Sequence, residues 1–251
     1  MRIEEVIHHA TTPLINPPYF LHRARFYNRE YLNIFYRTDP VTLRQVVPEP
    51  LEPTEPIVRF EFMRMGDVAG YGPYTECGQA IPVTYGGIEG EYLHAMYLDN
   101  FGATVAGRGL GAYPKVPGSP RLRIEGGALL GTLDYVNERV ATATMAYKWE
   151  PMDPTDALDQ IRTPQYGLKI VADRSGGYHA FDLMRTQITD VTVKESWKGP
   201  ARLQLLQHVM APVADLPVLE VVGSSHILTD LTLAGFESVF SYLNVIHASQ
   251  S

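Results

Sequence analysis

The sequence predicts a mainly β fold, a β-rich α+β domain of antiparallel strands with a few short helices. Three observations point there. Apolar and polar residues alternate with period two in many short runs. Helix signals are few and brief. The 21 glycines and 19 prolines fall largely between the alternating runs, where turns belong.

The elements follow in order. Asp39-Pro40 reads as an N-cap followed by a proline in the first helical position, opening a short helix to about Val46. Ile57–Met65 alternates as a strand. Val58, Phe60 and Phe62 share one face, and Glu61 lies on the other beside Ile57, Arg59, Met63 and Met65. Residues 92–98 form a second strand, and residues 139–149 a third, rich in β-branched and aromatic side chains. Asp153-Pro154 opens a second short helix over 155–161. Residues 166–171, 187–193, 202–207 and 227–233 add strands, and 235–243 reads as a helix. Many strands with little helix between them argue for an antiparallel barrel or sandwich rather than a parallel α/β sheet. No linker or internal repeat divides the chain, so residues 1–251 read as a single domain.

Composition narrows the function classes. Hydrophobic residues make up 45% and charged residues 20%, enough for an ordinary core. The formal net charge is −7, and no basic tract interleaves with aromatics, so no nucleic-acid partner is expected. Met1-Arg2-Ile3-Glu4-Glu5 is too acidic for a signal peptide, and no apolar run reaches membrane-spanning length, so no membrane association is expected. The lone Cys77 allows no intrachain disulfide and points to the cytoplasm.

The stretch Gly107-Arg108-Gly109-Leu110-Gly111-Ala112-Tyr113-Pro114-Lys115-Val116 is the most informative in the chain. Lys115 ends a mostly uncharged run. It reads either as a surface lysine in a Gly/Pro-rich loop or as a buried amine. Burial favours the neutral form of an amine, and a neutral amine attacks carbonyls. A free lysine at pH 7 is neutral in roughly one copy in 2,500, and making it half neutral takes about 3.4 pKa units, or about 4.6 kcal/mol. Full burial supplies about 3–5 units. Glu61 and Glu76 read as solvated carboxylates or, beside such a lysine, as proton shuttles. Arg29, between aromatic residues, reads as a salt-bridge partner or as an anchor for an anionic substrate. The glycines at 107, 109 and 111 lack the GxGxxG spacing of a nucleotide loop. The histidines lack metal-ligand spacing, and Ser225-His226 lacks nucleophile-elbow glycines, so neither a metal nor a serine hydrolase is expected.

With these residues in view, the chain resembles the acetoacetate decarboxylases from about residue 5 to residue 243. The resemblance is carried by Phe26-Tyr27-Asn28-Arg29-Glu30-Tyr31, Tyr36-Arg37-Thr38-Asp39, Val46-Val47-Pro48-Glu49-Pro50-Leu51-Glu52 and the run 74–82. It continues through Tyr97-Leu98-Asp99-Asn100, Ala112-Tyr113-Pro114-Lys115, Gly131-Thr132-Leu133-Asp134-Tyr135, Val140-Ala141-Thr142-Ala143-Thr144-Met145 and Ser224-Ser225-His226-Ile227-Leu228. It implies a cone-like β-barrel and a large homo-oligomer, a dodecamer. It also implies conversion of a small β-keto acid, acetoacetate, to acetone and carbon dioxide through a Schiff base on Lys115, with no cofactor. Arg29, Glu61 and Glu76 would line the cavity, with Tyr27, Met96 and Tyr113 as apolar or aromatic walls. Arg29 would orient the carboxylate. Glu76, supported by Glu61, would move protons. The nearest rivals are an aldolase-dehydratase or keto-acid cyclase on the same scaffold, and a non-catalytic binder of small carboxylates.

One position departs from the family pattern. A second lysine usually follows the nucleophile, and here Val116 stands there. The family is itself the usual illustration of a lysine activated by a hydrophobic pocket or by a neighbouring cation. A cation about 6 Å away at an effective dielectric of about 20 would contribute about 2.8 kcal/mol, some two pKa units. Val116 cannot supply it, so desolvation together with Arg29 is expected to do so.

Overall fold

The path from strand to strand sets where every charged group of the site ends up. In the computed structural model, which describes residues 1–21 and 23–249, thirteen strands join in one sheet and four in a second. The large sheet runs in the order Glu150–Pro151, Ile188–Lys198, Glu220–Leu233, Arg25–Arg37, Ile57–Met65, Tyr74–Tyr85, Ile88–Leu98, Gln165–Ala172, Tyr178–Thr186, Glu237–Ser241. Its two end strands do not pair with each other, so the sheet is not closed into a barrel by hydrogen bonds. Pairing is antiparallel except at two places. Ile88–Leu98 runs parallel to Gln165–Ala172 and to the short strand Lys115–Pro117.

Ile57–Met65 is buried on both faces, as its two-faced pattern predicts. Val58, Phe60 and Phe62 enter the main core, which lies between the large sheet and the four-stranded sheet carrying Leu122, Leu129, Leu133, Val140 and Met145. Arg59, Glu61, Met63 and Met65 point the other way and are also buried. One face of this strand therefore builds the core, and the other builds the site.

The two proline-initiated helices form where expected. Pro40–Val46 is capped by Asp39, whose carboxylate accepts from Thr42 N at 2.8 Å. Pro154–Arg162 is capped by Asp153 through Thr155 N at 2.8 Å. Two expectations are corrected. The stretch 235–243 is mostly the edge strand Glu237–Ser241, and the helix starts only at Tyr242. Pairing with Tyr178–Thr186, through Leu183↔Phe240 and Arg185↔Glu237, wins over local helical preference there. The supposed loop at residues 107–111 begins inside a helix, Phe101–Gly109, capped by Asn100 Oδ1 accepting from Ala103 N at 2.9 Å.

Candidate active site

Register across the sheet gathers the charged residues. On the buried face away from the main core, Asn33, Glu61, Gly78, Met96 and Lys115 lie directly opposite one another on successive strands. Two residues along, Tyr31, Met63, Glu76 and Leu98 form the next row on the same face. Arg29 and Tyr74 follow beyond it. Arg29, Glu61, Glu76 and Lys115, spread over 87 residues of sequence, thus meet on one patch of sheet.

Lys115 is 7% exposed and Glu76 2%. Their Nζ and Oε2 atoms are 3.0 Å apart. That oxygen has no hydrogen-bond partner, so its contact with the amine is electrostatic. The lysine stem crosses the helix Phe101–Gly109 at Gly107. A Cβ on Gly107 would stand 2.5 Å from Lys115 Cδ and 2.8 Å from Cε. The amine faces the rings of Tyr113 and Tyr74, at 5.2 and 5.9 Å. Burial pushes both phenols above their ordinary titration range, and the charge of Glu76 adds to this. They remain neutral walls.

Arg29 is 6% exposed and lies against the rings of Phe26 and Tyr31, at 5.1 and 4.9 Å. Its Nη2 donates to Met63 Sδ at 2.8 Å, and its Nε has no partner. Among the described residues no carboxylate pairs with it within 4.0 Å. Burial acts to lower its pKa, but Tyr31, Glu76, Tyr74 and Glu61 together push it up. It is a fixed cation with spare donors. Burial pushes the Tyr31 phenol up to about 12, despite Arg29 beside it.

Of these groups, Lys115, Tyr113, Tyr74 and Phe26 border a cavity of about 480 Å³, together with Arg23, Ala106, Gly107 and Phe236, whereas Glu76, Glu61, Arg29 and Met96 lie behind this lining. Phe236 packs edge-on against Tyr113 with centroids 5.0 Å apart. The walls are mostly apolar, and the charged residues in the lining are Lys115 and Arg23.

Of the sequence-predicted residues, Lys115, Glu76, Glu61, Arg29, Met96 and Tyr113 are all buried on this face. Met96 lies beside Lys115 in the ladder and packs with Tyr113. Tyr27 is the exception. It is 46% exposed and stacks on Arg25 instead. The cause is a bulge between Phe26 and Arg29, where Asn28 takes φ 52°. The extra residue lets both Phe26 and Arg29 point inward and leaves Tyr27 outside. Phe26 takes the wall position expected of Tyr27. Sequence reading also missed Tyr74 and Phe236, and Arg59 and Glu91, which flank Glu61. Arg59 was visible as a charge on an apolar strand, in the same pattern as Glu61.

Val116 points away from the site. It pairs with Tyr97, packs against the main core, and alternates with Lys115 along the strand. A cationic side chain at 116 would start on the opposite face from the amine.

The chain is similar to known proteins along most of its length. The family model described as Acetoacetate decarboxylase (ADC) matches residues 11–243. Acetoacetate decarboxylase of Clostridium acetobutylicum is 54% identical over 240 residues, covering 96% of this chain and 98% of its own. That of Streptomyces nogalater is 51% identical over 243 residues, covering 97% and 100%. A solved acetoacetate decarboxylase superposes with TM-score 0.95 at 53% identity, covering 97% of this chain and 100% of its own. An enduracididine biosynthesis enzyme shares the fold at TM-score 0.80 and 19% identity, covering 92% and 94%. A buried lysine–glutamate contact at the end of an apolar cavity, in a chain this similar along its whole length, leads to one assignment: the protein belongs to the acetoacetate decarboxylase family.

Proposed function

We propose that the protein decarboxylates acetoacetate to acetone and carbon dioxide through a Schiff base on Lys115. The observation that carries this reading is the buried amine of Lys115, 3.0 Å from Glu76 and open to an apolar cavity. Transfer of one proton from Nζ to Glu76 Oε2 leaves a neutral amine and a carboxylic acid. The amine adds to the ketone carbon. Glu76 returns its proton to the departing oxygen, water leaves, and an iminium remains β to the substrate carboxylate. Carbon dioxide departs, and the pair from the breaking C–C bond flows into the iminium to give a neutral enamine. Protonation at carbon and addition of water release acetone and restore the lysine.

Arg29 binds the carboxylate. Its unpaired Nε and its place between Phe26 and Tyr31 support that role. The apolar walls exclude water from charges that disperse in the transition state. Glu61 supports the proton transfers, and Met96 and Tyr113 shape the wall. The chain supplies its own electron sink, so the chemistry calls for no cofactor.

The same reading takes residues 1–251 as one domain and the long strand path as a cone-like barrel around the site, which the burial of both faces of Ile57–Met65 supports. It also takes the protein as a cytoplasmic homo-oligomer, a dodecamer. The free, buried thiol of Cys77 and the exposed Val209, Met210 and Leu219 are consistent with it. Among the described residues no helix is long and apolar enough to cross a membrane.

Acetone and carbon dioxide release from acetoacetate, compared between the wild type and Lys115→Ala, tests the function. The wild type forms both products in equal amounts, and the variant forms neither above background. A wild type that turns over pyruvate or an aldehyde acceptor but not acetoacetate points to the aldolase-dehydratase or cyclase rival.

A further inference from the structure

Next to the lysine pair, the same sheet face carries a second buried charge cluster, of which the mechanism uses only Glu61. Arg59, Glu61 and Glu91 are each less than one-tenth exposed. Arg59 Nη2 lies 3.4 Å from Glu61 Oε2 and also donates to Glu91 Oε2. One guanidinium thus holds two carboxylates, and its Nε has no partner.

The three residues share one face of the sheet, because Glu91 lies opposite Pro82, two residues along from the Ala80 that faces Arg59. Arg59 and Glu61 stand two residues apart on one strand, on the site face. Glu91 stands two strands away, on Ile88–Leu98. Arg59 and Glu91 border an outer cleft of about 430 Å³, together with Glu55, Glu89, Gln160 and Thr163. Glu61 lies opposite Gly78 on one side and Asn33 on the other. Gly78 offers it no side chain, and the Asn33 Nδ2 donates to Ser225 instead. Arg59 is its ion-pair partner among the described residues.

We propose that Arg59 is a positioning residue for Glu61, and that Glu91, from the cleft end of the same sheet face, sets how firmly Arg59 holds that carboxylate. The proposal rests on the reading of Glu61 as a member of the decarboxylase site. When Glu91 is ionised it competes with Glu61 for the guanidinium. When it is protonated, Arg59 is committed to Glu61. The charged groups facing Glu91 are Arg59 and Glu61, with Glu89 and Glu55 at the mouth of the cleft. The residues directly opposite it in the ladder, Pro82 and Gln165, carry no charge. Burial raises the Glu91 pKa to about 7, Glu61 adding to this and Arg59 opposing it. The competition is therefore adjustable near neutrality. A carboxyl raised in the folded state contributes stability below its unfolded pKa of about 4.3 and loses it as pH rises through about 7.

The test is a double-mutant cycle of Glu91→Gln and Glu61→Gln, read over pH 5–9, with thermal stability measured over the same range. Glu91→Gln is close in shape and keeps an oxygen acceptor for Arg59. Because glutamine mimics the protonated carboxyl, Glu91→Gln is expected to match the wild-type kcat at pH 5 and to exceed it about fivefold at pH 9, where ionised Glu91 competes for Arg59. It also removes an inflection near pH 7 in the wild-type rate profile and flattens the fall in stability between pH 5 and 8. In the Glu61→Gln background the same change has no further effect on kcat. Arg59→Lys, which keeps the charge, retains more activity than Arg59→Gln. Additive effects in the cycle, or a wild-type stability slope that survives in Glu91→Gln, overturn the proposal. Failure of the decarboxylase reading shows separately, as absence of acetone from the wild type. The stability slope still decides the coupling of Glu91 in that case.

Discussion

The Nζ of Lys115 and the Oε2 of Glu76 lie 3.0 Å apart, both nearly sealed from solvent. An amine and a carboxyl so placed exchange one proton without help from water. In the proposed mechanism the pair supplies both the nucleophile and the acid that removes the substrate oxygen. The neighbouring fixed cation, Arg29, keeps an unpartnered Nε, which the proposed mechanism assigns to the substrate's carboxylate.

Glu76→Gln keeps the shape of the side chain and removes its capacity to carry the proton. Positioned acid–base groups contribute about 10²–10⁴-fold. The variant is expected to fold and to lose kcat by that order. Steady-state kinetics with circular dichroism checks both statements, and a loss under tenfold assigns the proton transfer elsewhere.

Arg29→Gln removes the carboxylate anchor. A hydrogen bond to a charged group is worth about 1.5–3 kcal/mol, so kcat/KM should fall roughly ten- to a hundredfold. Loss of the cation also makes protonation of its surroundings easier, so the acidic limb of the pH–rate profile moves to higher pH. An unmoved limb contradicts the electrostatic part of the role.

Val116→Lys tests the departure from the family pattern. A cation acting on the amine from about 6 Å would move the acidic limb about two units to lower pH. Because residue 116 points to the main core face, the limb is expected to stay in place while stability drops. Movement of the limb would show that the new side chain reaches the site.

Gly107→Ala separates activity from stability. In a helix, alanine is favoured over glycine by up to about 1 kcal/mol. Here the added methyl meets the stem of Lys115 at 2.5 Å, and the flexible lysine yields before the backbone does. The melting temperature should hold or rise while kcat falls at least tenfold. Unchanged kcat would mean that the amine tolerates displacement.

The sequence reveals those parts of this molecule that local chemistry decides. Asp39-Pro40 and Asp153-Pro154 announce their helices because the cap and the proline act within one turn. The two faces of Ile57–Met65 follow from alternation alone, and they place Glu61 correctly against an apolar background. What local chemistry does not decide stays hidden. Helix Phe101–Gly109 contains three glycines, which argue against a helix by propensity. They are there because Pro18, Lys115 and Tyr19 press against positions 102, 107 and 109. Tyr27 is misplaced because a single bulged residue reverses the alternation. Arg59 and Glu91 meet only because the strand of Tyr74–Tyr85 brings their two strands alongside it, a pairing that no spacing encodes.

The most direct measurement is borohydride reduction in the presence of acetoacetate, followed by mass spectrometry of the peptides. The account predicts an isopropyl group on the ε-nitrogen of Lys115, the reduced imine of acetone, together with loss of activity. An unmodified Lys115 in an inactivated protein, or an adduct that still carries the substrate carboxylate with no acetone released, would contradict it.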